Sequence, residues 1–273
     1  MTDNYFSRSG IRATHLKALA KGSPLHYRHS VDNPQAGRTA SRTALQANHC
    51  AILEPDRFAT DYAAWTGKTR RGKAWEQWQA DHPGVTGLSA REHAEATRIG
   101  EAVRSHPVAG PMVCGAQYIE HTHSWQHLPT FLPCLMRADL IKETGQRVLL
   151  GDVKAVESTD IKAITRQAYR LGWPLQMAHY RDGVQDMYGY PVRPIETSVA
   201  LICVESSAPH DVAVVFLSDE VMEHAAAEHS RLLRIIERCR QSGVWPGRHL
   251  SAEVMDLPPW LEPQLMDSRG AEQ

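Results

Sequence analysis

No run of about 18 apolar residues, the length a membrane-crossing helix needs, occurs in this chain, so no transmembrane helix is expected. The opening residues Met1-Thr2-Asp3-Asn4-Tyr5-Phe6 have neither the basic nor the apolar region of a secretory leader. Cysteine is sparse and unpaired in pattern: five residues, an odd number, with no Cys-x-x-Cys spacing. That argues against a disulfide framework and against a cysteine-rich zinc or iron–sulfur module, and it favours reduced thiols in a cytoplasm. An excess of one charge is missing too. Lys and Arg number 30 against 31 Asp and Glu, a formal net charge of −1, so the global basic signature of a nucleic-acid binder is absent. A local basic patch offset by an acidic metal site would give the same total. There is no internal repeat. What is present, 273 residues with 42% hydrophobic content, suits one large globular domain or two small ones.

Local patterns divide the chain. Ser9 to Lys21 reads as a short helix with Ile11, Leu16 and Leu19 on its apolar face, ended by Ser23-Pro24. Asp32 to Thr39 reads as a loop, Ala40 to Leu53 as a helix that stops before Pro55, and Gly67 to Lys73 as a basic loop. Leu88 to Ser105 is a helix candidate with Ser89 as N-cap and Glu92 three residues on. Thr159 to Leu171 reads as a helix closed by Gly172, and a second helix runs from Trp173-Pro174 to about Tyr188. Ser198 to Glu205 and Val212 to Leu217 are β-rich and flank a turn; a long helix then spans Val221 to Gln241. The order predicts an α/β domain with a mixed sheet.

The most informative stretch is Val148-Leu149-Leu150-Gly151-Asp152-Val153-Lys154-Ala155-Val156, an apolar run that reads as a buried strand. Asp152 and Lys154, two residues apart on a strand, share one face, and charges rarely enter such a run without a partner or a task. Cys134 to Ile141 reads as a second strand, and Lys142 to Arg147, with Gly145, suits a hairpin turn. Antiparallel pairing then brings Asp139 close to Asp152 and Lys154. Two carboxylates and a lysine make a minimal site for metal-assisted phosphodiester hydrolysis, or an ordinary Asp–Lys pair on a surface strand. Gln176 and Tyr180, four apart on one helix, share a face and are both able to reach a phosphate or a base. His49 lies on a largely apolar helix, where a core role competes with ligation. Glu120, His121, His123 and His127 are residue types that bind zinc, but their spacing matches no closed structural site; Glu120 is of more interest as a third acid. Lys68, Arg70, Arg71 and Lys73 could meet DNA phosphates, with Trp65, Trp75 and Trp78 placed to stack on bases, or form a solvated loop beside core tryptophans.

In order and spacing these pieces resemble the RecE-type exonucleases (exodeoxyribonuclease VIII-like) of the PD-(D/E)xK superfamily, near the RecB-family and lambda-type exonucleases. The likeness runs from Ser9-Gly10 and Ser23-Pro24-Leu25-His26-Tyr27, through His49 to Phe58, Glu120 with Trp125, and Cys134 to Asp139, to Asp152-Val153-Lys154 and Gln176 to Tyr180. The family often has Gly where Leu45 stands and Pro where Ala138 stands. The resemblance implies a restriction-endonuclease-like core with a mixed central sheet flanked by helices. It would form a single nuclease domain over 1–263, with an N-terminal helical part to about 110, a catalytic core over about 111–245, and a flexible tail at 264–273. It further implies Mg²⁺, with Mn²⁺ as substitute, held by Asp139, Asp152 and the Val153 carbonyl, with His49 and Glu120 completing or supporting the site. Lys154 would position the water, and Gln176 and Tyr180 would contact the DNA strand. The activity implied is 5′→3′ digestion of linear duplex DNA in phage or prophage recombination, by a homo-oligomer working with a single-strand annealing protein. A structure-specific endonuclease and a non-catalytic DNA-binding accessory protein are the alternatives.

Overall fold

The computed structural model describes residues 8–33, 40–145, 147–192 and 195–258. Along the chain run α1 (Ala13–Lys21), α2 (Pro24–Asp32), α3 (Ala40–Leu53), α4 (Pro55–Asp61), β1 (Tyr62–Trp65), α5 (Lys73–Asp81), β2 (Thr86–Ser89), α6 (Ala90–Ser105) and α7 (Ala109–Cys114). Then follow β3 (Tyr118–His127), β4 (Leu132–Thr144), β5 (Arg147–Val156), α8 (Ile161–Leu171), α9 (Trp173–Met187), β6 (Glu196–Glu205), β7 (Val212–Phe216) and α10 (Asp219–Ser242).

Five strands form one sheet in the order β3-β4-β5-β6-β7. Only β5 and β6 pair in parallel; the other neighbours are antiparallel. A parallel pair needs a crossover, and α8 and α9 supply it. The central strands are apolar throughout because both faces are covered. In β6, Val199, Leu201 and Cys203 enter one core while Ala200, Ile202 and Val204 enter the other. The first core is closed by α1, α2, α8, α9 and α10, the second by α3, α6 and α7. The result is a mixed sheet between two helical layers, as expected from the sequence. The N-terminal helices share a core with strands β4 and β5. Leu16 and Leu19 pack in the same core as Met136 and Leu150, and Ile11 pairs with Cys134 at the end of β4.

Several boundaries differ from the sequence reading. Ser23-Pro24 does more than end a helix: Ser23 is the N-cap of α2 and Pro24 its first residue, where a missing N–H is harmless. Pro55 opens α4 in the same way. Ser89 caps α6 through a capping box with Glu92, but Thr86 to Ser89 is a strand paired with β1 rather than helix. Glu120 to His127, not read as a strand, lies in β3. Gly172, in the left-handed conformation at φ 67°, ends α8 and hands the chain to α9. Most of the expected loop 32–39 and the whole tail 264–273 lie outside the described residues.

Candidate active site

The hairpin of β4 and β5 opens where the carboxylates stand. Regular pairing runs from Thr144 opposite Arg147 to Leu140 opposite Gly151. Beyond it the amide of Val153 donates to the Asp139 carboxylate at 2.8 Å, so a side chain takes the place of a backbone carbonyl. The apolar alternation also slips at this point. Met136 and Ala138 belong to the first core, Leu140 to the second and Ile141 to the first again. On β3 the matching irregularity is Glu120, which lies between Ile119 and His121 in the register and holds a left-handed φ of 49°. Such a conformation costs a non-glycine residue about 1–3 kcal/mol and persists where the surroundings enforce it. Here Glu120 accepts from His49 Nδ1 at 3.0 Å and from Arg137 Nε at 2.8 Å.

His49 reaches the site from α3. It bridges two acids, contacting Glu120 through Nδ1 and Asp139 Oδ2 through Nε2 at 2.9 Å. Burial opposes its charge, but the carboxylates of Asp139 and Glu120 outweigh it and lift the His49 pKa well above the usual histidine value. Burial alone would raise Asp139; His49, aided by Lys154 and the Val153 N–H, outweighs that and holds it below the ordinary carboxylate range.

Asp152 sits deeper, its side chain 1% exposed against 14% for Asp139 and 31% for His49. Burial, and then the neighbouring Asp139 charge, push its pKa up to about 6. The Lys154 ammonium lies in direct contact with Asp152 Oδ2, but not in hydrogen-bonding geometry, so this buried oxygen keeps an unsatisfied lone pair. Oδ1 accepts from Gln176 Nε2 at 2.8 Å. The Gln176 carbonyl in turn accepts from Lys154 at 3.3 Å and from Lys17 at 2.6 Å. Lys154 also lies over the Trp173 ring at 5.4 Å. Lys17, on α1, was not legible as a site residue, since a lysine on an amphipathic helix reads as its solvated side. Burial, with Lys154 close by, lowers its pKa to about 8.

Asp139, Asp152, Lys154, Glu120, His49 and Gln176 are thus brought together, with the Val153 backbone beside them. Tyr180, expected to share a DNA-facing surface with Gln176, is 8% exposed and packs in the first core, because α9 buries that side of itself against the sheet. The basic loop is elsewhere. Arg70 pairs with Glu92 at the start of α6, while Lys68, Arg71 and Lys73 are exposed. Trp65, Trp75 and Trp78 pack on one another, with Trp75 and Trp78 stacked at 5.1 Å.

The donor set fits a hard divalent cation, which favours carboxylate and carbonyl oxygens. Asp152 Oδ2 meets the Lys154 ammonium but accepts no hydrogen bond, which leaves it a lone pair for such an ion. As an imidazolium His49 has no lone pair, so ligation by His49 needs loss of its proton.

Among the described residues no helix is long and apolar enough to cross a membrane. No curated protein matches the sequence. Among solved structures, one of a protein from Eubacterium rectale, provisionally described as an exonuclease, superposes with a TM-score of 0.63 at 12% identity, covering 94% of this chain and 95% of that one. The likeness is one of fold. A family model described as a PDDEXK-like domain of unknown function (DUF3799) matches residues 16–258. With the diverging hairpin that carries Asp139 and Asp152-Val153-Lys154, that match identifies the chain as a member of this PDDEXK-like family.

Proposed function

We propose that the protein is a divalent-metal-dependent DNA nuclease, and that it acts as an exonuclease on the ends of linear duplexes. The observation that carries this reading is the buried Asp152 carboxylate, unsatisfied at Oδ2 and flanked by Lys154 and Asp139 in the wedge between β4 and β5. Asp139, Asp152 and the Val153 carbonyl would hold the ion, with Glu120 and His49 as the supporting acid and imidazole. A bound Mg²⁺ or Mn²⁺ supplies positive charge at a scissile phosphate and acidifies the attacking water.

The remaining work falls to this chain. Lys154 places a cation beside the phosphate and orients the attacking water. Gln176 links Asp152 and Lys154 through its amide, and Lys17 fixes the Gln176 carbonyl. The imidazolium of His49 offsets the charge of Asp139 and Glu120 until the ion arrives. The exposed basic residues Lys68, Arg71 and Lys73 extend the surface for the DNA backbone. The RecE-type resemblance adds 5′→3′ polarity, a homo-oligomer and an annealing partner to the reading.

The test is digestion of end-labelled linear and closed circular duplex DNA with Mg²⁺, with Ca²⁺ and with EDTA. Mononucleotides released from linear DNA alone, with Mg²⁺ alone, is the expected result. Cut circles would replace the exonuclease with an endonuclease. DNA binding without cutting in any metal would overturn the enzymatic reading.

A further inference from the structure

A second cluster of metal-ligating side chains lies apart from the acidic wedge, between β3, α9 and α10. His127 ends β3, Asp182 is in the middle of α9 and His229 is in the middle of α10. One candidate ligand atom from each lies within 4.8 Å of the others, and both histidines are buried, at 5% and 3% exposure. No sequence motif announces it, because the three ligands come from three distant segments.

The surrounding hydrogen bonds fix the chemistry of each ligand. His179, fully buried, donates from Nε2 to the Leu135 carbonyl at 3.2 Å, which leaves its Nδ1 as an acceptor. That nitrogen lies 3.0 Å from His229 Nε2, so His229 must carry its proton there. Its Nδ1 is then a lone pair. His127 engages Thr130 Oγ1 through Nδ1 at 2.9 Å; with Nδ1 as the donor, Nε2 is the nitrogen left with a lone pair. Asp182 accepts from the Trp125 indole N–H at 2.8 Å. Each ligand therefore has a second partner that orients it: a carbonyl-anchored histidine relay, a threonine hydroxyl and an indole. This is the outer shell that metal-binding imidazoles and carboxylates require. The relay thus leaves His229 with one ring lone pair, in a cluster to which the Asp182 carboxylate brings further acceptors. A cation is what such an arrangement accommodates.

We propose that His127, Asp182 and His229 form a structural site for a borderline divalent transition metal such as Zn²⁺, tying β3 and α10 to α9. Two imidazoles and a carboxylate are a nitrogen-rich set that suits Zn²⁺ and Co²⁺ and not Mg²⁺, so the two centres select different ions. Bonds of about 2.0–2.2 Å place tetrahedral ligands about 3.3–3.6 Å apart, so the present spacing closes with side-chain shifts of about an ångström, and water takes the fourth position. The ion would anchor the helix whose first turns carry Gln176, two turns from Asp182.

The test removes the acidic centre from view. The full chain carrying Asp139→Asn and Asp152→Asn is stripped with EDTA and titrated with Co²⁺, then with Zn²⁺. One equivalent of Co²⁺ should give a visible d–d band that Zn²⁺ abolishes, together with a rise in melting temperature. Adding Asp182→Asn, which keeps an oxygen for the Trp125 N–H, should weaken Co²⁺ binding at least tenfold. His229→Gln should do the same, and His179→Phe should weaken it by about 10- to 100-fold by removing the nitrogen that orients His229. If His229→Gln does not fold, Asp182→Asn carries the result, with circular dichroism to establish that it has folded. No band in the Asp139→Asn, Asp152→Asn chain, or a band that survives Asp182→Asn unchanged, overturns the proposal.

Discussion

Two groups of imidazoles and carboxylates occupy this protein, and their charge states are opposite. At the wedge, His49 stands between two carboxylates, which overcome burial and keep it protonated. In the interior the imidazoles of His127, His179 and His229 cluster, with one carboxylate, Asp182, within reach of His127 and His229. Burial lowers all three, His179 to about 4 and His229 to about 2, while Asp182 is raised by its own burial. The residue types are the same; the ratio of acid to imidazole differs. Where acids are in excess a buried ring becomes a cation, and where rings are in excess they stay neutral and keep lone pairs. One centre is therefore built to meet a hard ion through oxygen, the other a softer ion through nitrogen.

The largest expected effect comes from breaking the acidic side. Asp152→Asn keeps the size and removes the charge, and cleavage should fall by on the order of 10³ or more with DNA binding retained. Lys154→Ala should lower the chemical step by about 10²–10³. Wild-type rates in either variant at saturating Mg²⁺ would remove Asp152 and Lys154 from the reaction.

Acid should affect the two groups differently. At the wedge, a proton competes for Asp152 below its pKa of about 6. The Mg²⁺ concentration needed for half-maximal cleavage should be flat above about pH 6 and rise about tenfold per pH unit below it. In the interior the sign follows from depressed histidine pKa values. Once pH falls below about 6.5, the unfolded chain takes up protons that the folded His179 and His229 refuse. In EDTA the stability is thus complete above about pH 6.5 and declines by about 1.4 kcal/mol per pH unit and per group on acidification. The readout is the melting temperature between pH 7 and pH 4, and a His229→Gln chain should show a shallower decline.

Changing the ratio itself is a subtler test. Glu120→Gln leaves His49 with one acid instead of two. Its pKa, followed by NMR, should drop, because one of the two carboxylates that raise it is gone. An unmoved His49 would mean that Asp139 alone sets its charge. The smallest effect belongs to the basic loop, which is part of neither centre. Neutralising Arg70, Arg71 and Lys73 should make the slope of log affinity against log salt shallower. Because Arg70 is held by Glu92, about two contacts rather than three should be lost, or about 1.8 in slope on duplex DNA.

Much of the scaffold of the acidic centre was legible before any coordinates. An apolar run interrupted by Asp152 and Lys154 marked a site candidate, though an ordinary Asp–Lys pair would read the same, and a polar segment with Gly145 predicts the hairpin that brings Asp139 alongside. Ser89 with Glu92, and Gly172, marked helix ends through capping chemistry. Strand β3 was not legible, because His121, His123 and Ser124 dilute its apolar pattern and most of it is only half-buried. Helices α2 and α4 were missed where proline was read as a stop, although proline also opens helices. Tyr180 shares a sequence spacing with Gln176, but spacing cannot say that α9 is buried over much of its circumference, Tyr180 included. The neutral histidine group has no local signal at all: its members approach only after β3, α9 and α10 have packed.

The chain order of the site also has a bearing on how it assembles. Asp139, Asp152, Lys154 and Gln176 come from β4, β5 and α9, which follow one another along the sequence. Bringing them together requires one hairpin and part of one crossover, and closing such short loops is entropically cheap and fast. His49 and Lys17 come from α3 and α1, far upstream, and arrive by docking. The carboxylates are thus expected to converge with only Lys154 to offset them, before His49 and Lys17 arrive from α3 and α1, so part of the mutual repulsion of Asp139 and Asp152 falls on an intermediate stage of folding. In pulsed hydrogen exchange, the amides of β4 and β5 should gain protection ahead of those of α1 and α3, and Mg²⁺ present from the start should shorten the interval between them.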